Sequence, residues 1–251
     1  VSADQSLSII VPALDEAENL ARLLPHLRQR CPGAEVIVVD GGSLDGTART
    51  ASAWPEVRYL ASARGRACQM NAGARAARGD ILLFLHADTL LPEGAADAIA
   101  RALGDPTVVG GRFDVSFASP RRAFRVIAAF MNRRSRWSGI ATGDQAIFVR
   151  RDVFAALGGY PDIPLMEDVE LSARLRRRGR IACLGPRVIT SARKWEREGI
   201  VRTVLLMWAL RLLYFCRVGP ARLHRWYYRP HSTTWTGKPG YPAPGARTPE
   251  G

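Results

Sequence analysis

The stretch GDILLFLHADTLLP, residues 79–92, decides how this chain folds. Five apolar residues in succession, Ile81 to Leu85, stop abruptly at His86-Ala87-Asp88. A short uninterrupted run of this kind reads as a strand buried on both faces, as in a parallel sheet covered by helices. His86 and Asp88, at i and i+2, point to one side of the strand's end. A carboxylate delivered there is costly unless something pairs with it.

Working outward, strand-like and helix-like segments alternate. Leu7 to Val11 reads as a strand ended by Pro12. Asp15 then reads as a helix cap with Glu18 as its capping-box partner. Leu20, Leu23, Leu24 and Leu27 recur at helical spacing, and Pro25 is expected to kink or shorten that helix. Glu35 to Asp40 is a second strand, followed by a helix over Asp45 to Ala53. A short strand, Val57 to Leu60, and a helix, Arg66 to Arg78, come next. Beyond the opening stretch, Pro92 is placed to open another helix. This β-α-β-α order predicts an α/β fold with an open, mainly parallel, doubly wound sheet.

After Gly110 the rhythm changes. Arg112 to Phe117 alternates like a half-exposed strand, and Arg121 to Trp137 reads as a basic amphipathic helix. Thr142 to Arg150 reads as a strand, and Glu167 to Arg178 as a helix with Leu171 and Leu175 on one face. Residues 201–218 are apolar, yet Arg211 interrupts them well short of the roughly 20 residues a spanning helix needs. A helix packed on the domain is expected there, with docking at a membrane surface as the alternative. The Pro-, Gly- and Thr-rich stretch from Pro230 reads as a disordered tail. The expected division is a domain over 1–190, a helical extension over 191–229 and a tail over 230–251.

The 251 residues are 47% hydrophobic and 24% charged, ordinary for a globular chain, but the net charge is +13. All of the 36 basic residues except Lys194 and Lys238 are arginine. Genomic composition bias explains such a bias as well as an anionic partner does: a phosphate-bearing substrate, an anionic membrane or nucleic acid. No compact basic stripe with interleaved aromatics appears in the first two hundred residues, so nucleic acid ranks last. The four cysteines form no C-x-x-C pair, which signals neither a zinc site nor a disulfide framework and suits a reducing cytoplasm.

In an open parallel sheet, ligands bind beyond the carboxyl ends of the strands. Three predicted strand ends carry carboxylates to one edge: Asp15-Glu16, Asp40 with Asp45, and Asp88. Clustered carboxylates repel unless a cation or donor-rich ligand sits between them. A divalent metal held by one carboxylate and substrate phosphates meets that need. GGSLDG, residues 41–46, is neither a dinucleotide fingerprint nor a Walker loop.

VPALDEAENL, VVDGGSLDGT, ARGRACQMNAGARAARGD, FLHADT and MEDVEL, in this order over about residues 6–190, resemble the motifs of family 2 glycosyltransferases with the GT-A fold. GRFDV, MNRRSRWSGIATGDQAIFVRR, GGYPDIPLMEDVELS, TSARKWE and RTVLLMWALRLLY are further similar to a bacterial, radical-SAM-associated subgroup of arsenosugar-biosynthesis glycosyltransferases. The resemblance implies that Pro12, Leu14 and Glu16 line a nucleotide pocket and that Asp40 binds the base, usually uracil. It implies Arg64 and Arg66 near the diphosphate, where arginine grips phosphate in bidentate fashion. FLHADT stands where the family has Asp-x-Asp, so Asp88 keeps the Mn²⁺ or Mg²⁺ role while His86 departs from the pattern and takes ribose, phosphate or Mn²⁺. Asp168, after Glu167, matches the family's base, which takes the acceptor hydroxyl's proton. Gly143, Asp144 and Gln145 match a loop lining the donor sugar or acceptor. Arg193 and Lys194 are placed to neutralise the leaving diphosphate, and Trp195 reads as core packing.

Blander roles stand beside these: a turn residue for Asp40, a solvated surface pair for Arg64 and Arg66, and a strand-end histidine for His86. Asp88 also fits a helix cap, and Asp168 a carboxylate favoured by a helix dipole. The implied activity is inverting transfer from a nucleotide-diphospho-sugar, most simply a UDP-sugar, to a small-molecule hydroxyl in the cytoplasm. Its rivals are a lipid or carotenoid acceptor at the inner membrane face, a non-catalytic nucleotide-sugar-binding module, and a basic scaffold.

Overall fold

A computed structural model describes residues 6–227. The tail expected from Pro230 lies outside the described residues. Strand β1 (Leu7–Ala13) leads into α1 (Ala17–Arg30), β2 (Glu35–Asp40), α2 (Thr47–Ser52), β3 (Val57–Ala61) and α3 (Arg66–Ala76). The opening stretch forms β4 (Ile81–Phe84) and a two-residue β5 (Thr89–Leu90), followed by α4 (Ala95–Leu103) and β6 (Val108–Phe117). Then come α5 (Arg122–Ser138), a 3-10 turn (Gly143–Gln145), β7 (Ile147–Arg150), α6 (Arg151–Ala156) and α7 (Glu167–Arg176). The described part ends with β8 (Arg180–Thr190), α8 (Arg193–Glu198), α9 (Ile200–Phe215) and α10 (Pro220–Tyr227).

The sheet runs β3-β2-β1-β4-β7-β6-β8-β5. β1 pairs in parallel with both β2 and β4, and β2 with β3. β7 runs antiparallel to β4 and β6, so the sheet is mixed at its middle, while β6 and β8 are parallel. Buried clusters lie on the two faces: Ile9, Val11, Val38 and Leu83 face α1 on one side, and Ile10, Ile37, Val39 and Leu82 face α3 on the other. Double-sided burial is what an unbroken apolar run demands. Gly73 lets α3 press against the sheet, because a Cβ there would lie 2.4 Å from Ile10 and 3.0 Å from Val39.

Several boundaries differ from the sequence expectation. β1 continues through Pro12 to Ala13. The Ile10 carbonyl accepts from Leu85, and the β4 ladder ends there. Pro12, two residues on, therefore turns its missing N–H past the ladder's end, where a proline is tolerated. Asp15 does not cap α1: it adopts φ 55° and accepts from the Leu44 N–H at 2.8 Å. The helix's first donors are met from the next loop instead, Glu16 N–H by Thr47 Oγ1 and Ala17 N–H by Asp45. Pro25 does not shorten α1, where it is solvent-exposed. Pro92 opens no helix; α4 begins at Ala95 after Gly94 in the left-handed region. The expected strand over Thr142 to Arg150 begins only at Ile147, since 143–145 form a tight 3-10 turn.

β6 is buried on both faces along most of its length. Its polar positions are inside because they satisfy each other: Arg112 ion-pairs with Asp114, which also takes Arg136 at 2.5 Å. β8 is a strand that the sequence reading did not include, and it contains Gly185-Pro186. The sheet absorbs that dipeptide as an irregularity, its register jumping from Phe113↔Leu184 to Asp114↔Arg187. The helix expected over residues 201–218 forms as α9, which packs with α10 against Met166 and Val169 through Leu210 and Leu223.

Candidate active site

One cleft of about 720 Å³ lies beyond the carboxyl ends of β1 and β4. Pro12 enters it from the end of β1, Leu14 and Glu16 from the β1–α1 connection, Arg64 and Arg66 from the start of α3, and His86 and Asp88 from the end of β4. Gly143 and Asp144 come from the 3-10 turn, and Glu167 and Asp168 from the first turn of α7. Most of the residues singled out in the sequence are thus brought together. Four are not. Asp40 is buried behind the rim, accepting from Gly42 N–H, Ser43 N–H and Oγ, and Tyr59 OH. Gln145 is also buried, donating to Ser135 Oγ at 3.0 Å. Arg193 is spent on Ser191 and Asn19. The Lys194 side chain lies outside the described residues.

Asp168 accepts one backbone N–H on each oxygen, Val169 at 2.7 Å and Gly143 at 2.8 Å. The contact from Gly143 ties the start of α7 to the 3-10 turn and fixes where the carboxylate points. Neighbouring Glu167 is buried, and burial, then the charge of Asp168, push its acid up, against the pull of Arg66 at 3.7 Å. His86 turns Nδ1 to Asp144 Oδ1 at 3.3 Å and tucks Nε2 against Gly143, where a Cβ would lie only 2.5 Å away. Burial works to raise the Asp144 acid, but His86, Arg66 and Arg211 outweigh it and hold it low. Glu16 is pushed up by burial and by the charge of Asp88, partly offset by its bond from Asn19.

The donor set fits a divalent cation in one way. Asp88 is a half-buried carboxylate whose hydrogen bond comes from Thr89 Oγ1 at 3.3 Å, leaving its oxygens available. Among the described residues no trio of His, Cys, Asp and Glu stands close enough to hold an ion alone. Asp88 therefore suits a hard ion that takes its remaining ligands from phosphate and water, the habit of Mg²⁺ and Mn²⁺. His86 faces Asp144 through Nδ1, while its buried Nε2 has no hydrogen-bond partner among the described residues.

Sequence reasoning missed Arg211. It lines the cleft from α9, where burial lowers its pKa and the charges of Asp168 and Asp144 offset that only in part. Residues 162–165, Met207, His224 and Tyr227 also join the wall. Trp195 lines the cleft too, edge-on to Phe117 at 5.7 Å.

Residues 8–158 match the family model described as "Glycosyl transferase family 2". A PGL/p-HBAD biosynthesis glycosyltransferase of Mycobacterium tuberculosis is 31% identical over 173 residues, 61% of this chain and 62% of the relative. The succinoglycan biosynthesis protein ExoA of Rhizobium meliloti is 29% identical over 196 residues, 68% of this chain and 58% of that one. The chain therefore spans about three-fifths of the length of the curated relatives it matches. Among solved structures, the mannosyltransferase PcManGT from Pyrobaculum calidifontis, in complex with GDP-Man and Mn²⁺, superposes with a TM-score of 0.55 at 25% identity. The superposition covers 75% of this chain and 57% of that chain. Staphylococcus aureus TarS 1–349 with UDP-GlcNAc gives 0.58 at 15% identity over 74% of this chain and 58% of that one, a likeness of fold alone. The architecture is the GT-A fold.

Proposed function

The chain belongs to glycosyl transferase family 2, and on that premise we propose that it is a metal-assisted, inverting glycosyltransferase. The observation that carries this reading is that a single cleft gathers Asp88, Arg66, Arg211 and Asp168 from four separate elements. A nucleotide-diphospho-sugar is the donor, with its nucleotide against Pro12 and Leu14 and its diphosphate between Asp88 and Arg66. The diphosphate's developing charge meets cationic groups already in place, which need no reorganisation during the reaction. Asp88 would hold Mn²⁺ or Mg²⁺, which would supply Lewis-acid neutralisation of that charge.

Asp168 is the base. Its two backbone bonds hold the carboxylate at the acceptor end, where it takes the proton from an incoming hydroxyl. The hydroxyl oxygen bonds to the anomeric carbon as the bond to the diphosphate oxygen breaks, and one such displacement inverts the sugar. Asp40, sealed in its turn, supports the 41–47 loop through Gly42 and Ser43. A small hydroxyl compound, of the arsenosugar type implied by the narrower resemblance, is the proposed acceptor. A lipid-borne hydroxyl is the second reading, favoured by the exposed apolar face of α9.

Thermal unfolding with UDP-, GDP- and dTDP-sugars, with Mn²⁺ or EDTA, tests the donor site on wild type and Asp88→Ala. Ligand at a hundred times its dissociation constant stabilises by about 2.7 kcal/mol. That is roughly 5–10 °C for a chain of this size. A metal-dependent shift with one nucleotide, lost in Asp88→Ala, is expected. No shift with any donor, at concentrations that move a known glycosyltransferase, overturns the reading.

A further inference from the structure

Helix α9 exposes Val201, Leu205, Trp208, Leu212 and Phe215, each 54–72% accessible. At 3.6 residues per turn these positions fall within an arc of about 80°. The opposite side of the same helix, Thr203 and Leu210, is buried. Arg211, which in the sequence interrupts the apolar run, turns into the cleft and leaves the outer stripe without a charge. Helix α5 exposes Val126, Phe130 and Trp137, 48–90% accessible, also along one side. Phe130 stacks on Trp208 with ring centroids 5.1 Å apart, so the two stripes meet in one surface. Monomeric soluble proteins rarely leave so long an apolar strip bare.

The helices that carry it hold charges of one sign. Helices α5, α9 and α10 contain no Asp or Glu. Exposed Arg122, Arg125, Arg133 and Arg202 flank the strip, and Arg222 and Arg225 extend the basic area onto α10. An apolar ridge with Trp and Phe, bordered mostly by arginine with Glu196 paired to Arg121 at one end, complements an anionic lipid surface: rings enter the headgroup boundary while guanidinium groups meet phosphates. A protein partner with an apolar patch would match the ridge but would leave this net positive charge unanswered. No described helix is long and apolar enough to cross a membrane.

We propose that this α5–α9 ridge seats the protein on an anionic membrane surface. Because α9 presents its ridge outward and Arg211, Met207 and Leu210 inward, the acceptor end of the cleft then sits one helix away from the lipid. The proposal rests on the outer face alone, so it stands or falls separately from the donor-site reading. The same helix would carry a lipid-borne acceptor's entry and the cleft's cationic wall.

Co-sedimentation with vesicles tests it, using the full chain without donor or metal, on phosphatidylcholine alone and with about a third phosphatidylglycerol. Wild type is expected to pellet with the anionic vesicles at least tenfold more than with the neutral ones, and less as salt is raised. Leu205→Asp with Leu212→Asp should lose that binding at least tenfold, while its melting temperature and nucleotide-sugar shift stay at wild-type values. Arg122→Gln with Arg133→Gln should weaken binding to anionic vesicles only. Brominated lipid should quench wild-type tryptophan emission, and Trp208→Phe should reduce the quenching. Equal pelleting with and without anionic lipid, or of wild type and the Asp variant, overturns the proposal. So does a wild-type dimer in sedimentation velocity that the Asp variant abolishes, because a second copy then covers the ridge. Deprotection of α9 in hydrogen exchange when residues 228–251 are deleted would overturn it too, assigning the ridge to the chain's own end.

Discussion

Replacing Asp168 with Asn separates its two roles. Each carboxylate oxygen accepts one backbone N–H, from Gly143 and from Val169. In asparagine one of those acceptors becomes an NH₂ donor, and whichever way the amide turns, one backbone N–H faces it. A hydrogen bond to a charged group contributes about 1.5–3 kcal/mol. At about 2–4 °C per kcal/mol for a chain of this size, the melting temperature should fall by roughly 3–12 °C. Catalysis should fall much further, because a positioned base contributes about 10²–10⁴-fold. The assay is release of nucleotide diphosphate from saturating sugar nucleotide, with water or a hydroxyl acceptor, well below the variant's melting temperature. Donor affinity, read from the ligand-induced thermal shift, should stay near wild type. A variant that loses the expected stability yet turns over at the wild-type rate refutes the reasoning. Asp168 would then only tie α7 to the 3-10 turn.

Gly143→Ala puts a Cβ 2.5 Å from His86 Nε2, at a backbone conformation alanine accepts. Overpacking of this kind costs about 1–3 kcal/mol, so a lower melting temperature and weaker donor binding are expected; unchanged values of both would show that His86 does not rest on Gly143. Tyr214 donates to Glu170 at 2.8 Å and fastens α9 to α7, so Tyr214→Phe should destabilise the fold measurably in urea titrations. Burial, then Glu170, push the Tyr214 hydroxyl up to about 12. A weak acid whose folded value is raised favours folding fully below its ordinary value near 10 and loses that contribution as pH rises toward 12. Wild type should therefore lose stability between pH 10 and 12 more steeply than Tyr214→Phe, and equal slopes would contradict the assignment.

Much of the candidate site was legible because its residues sit at strand ends, and strand ends are marked locally. An apolar run that stops at His86-Ala87-Asp88 places Asp88 at the sheet's carboxyl edge, whatever the rest of the chain does. The same holds for Glu16 after β1 and, through its helix start, for Asp168. What misled the reading were local signals with nonlocal answers. Asp15 has the chemistry of a cap, but the loop after β2 reached α1 first. Alternation in β6 looked half-exposed, yet Arg112 and Asp114 are buried as a pair.

The sequence by itself determined the β-α-β order, the double-sided burial of the central strands and the edge at which the carboxylates gather. These follow from hydrophobic period and strand polarity, which act over a few residues. Only the tertiary structure decided which of those polar residues face a common space. Asp40 was withdrawn behind four hydrogen bonds, and Arg211 was turned inward while its helix neighbours were left bare. The physical reason is that burial of a charge depends on what lies opposite it. For Arg211 the opposing groups, Asp144 and Asp168, come from parts of the chain more than forty residues away.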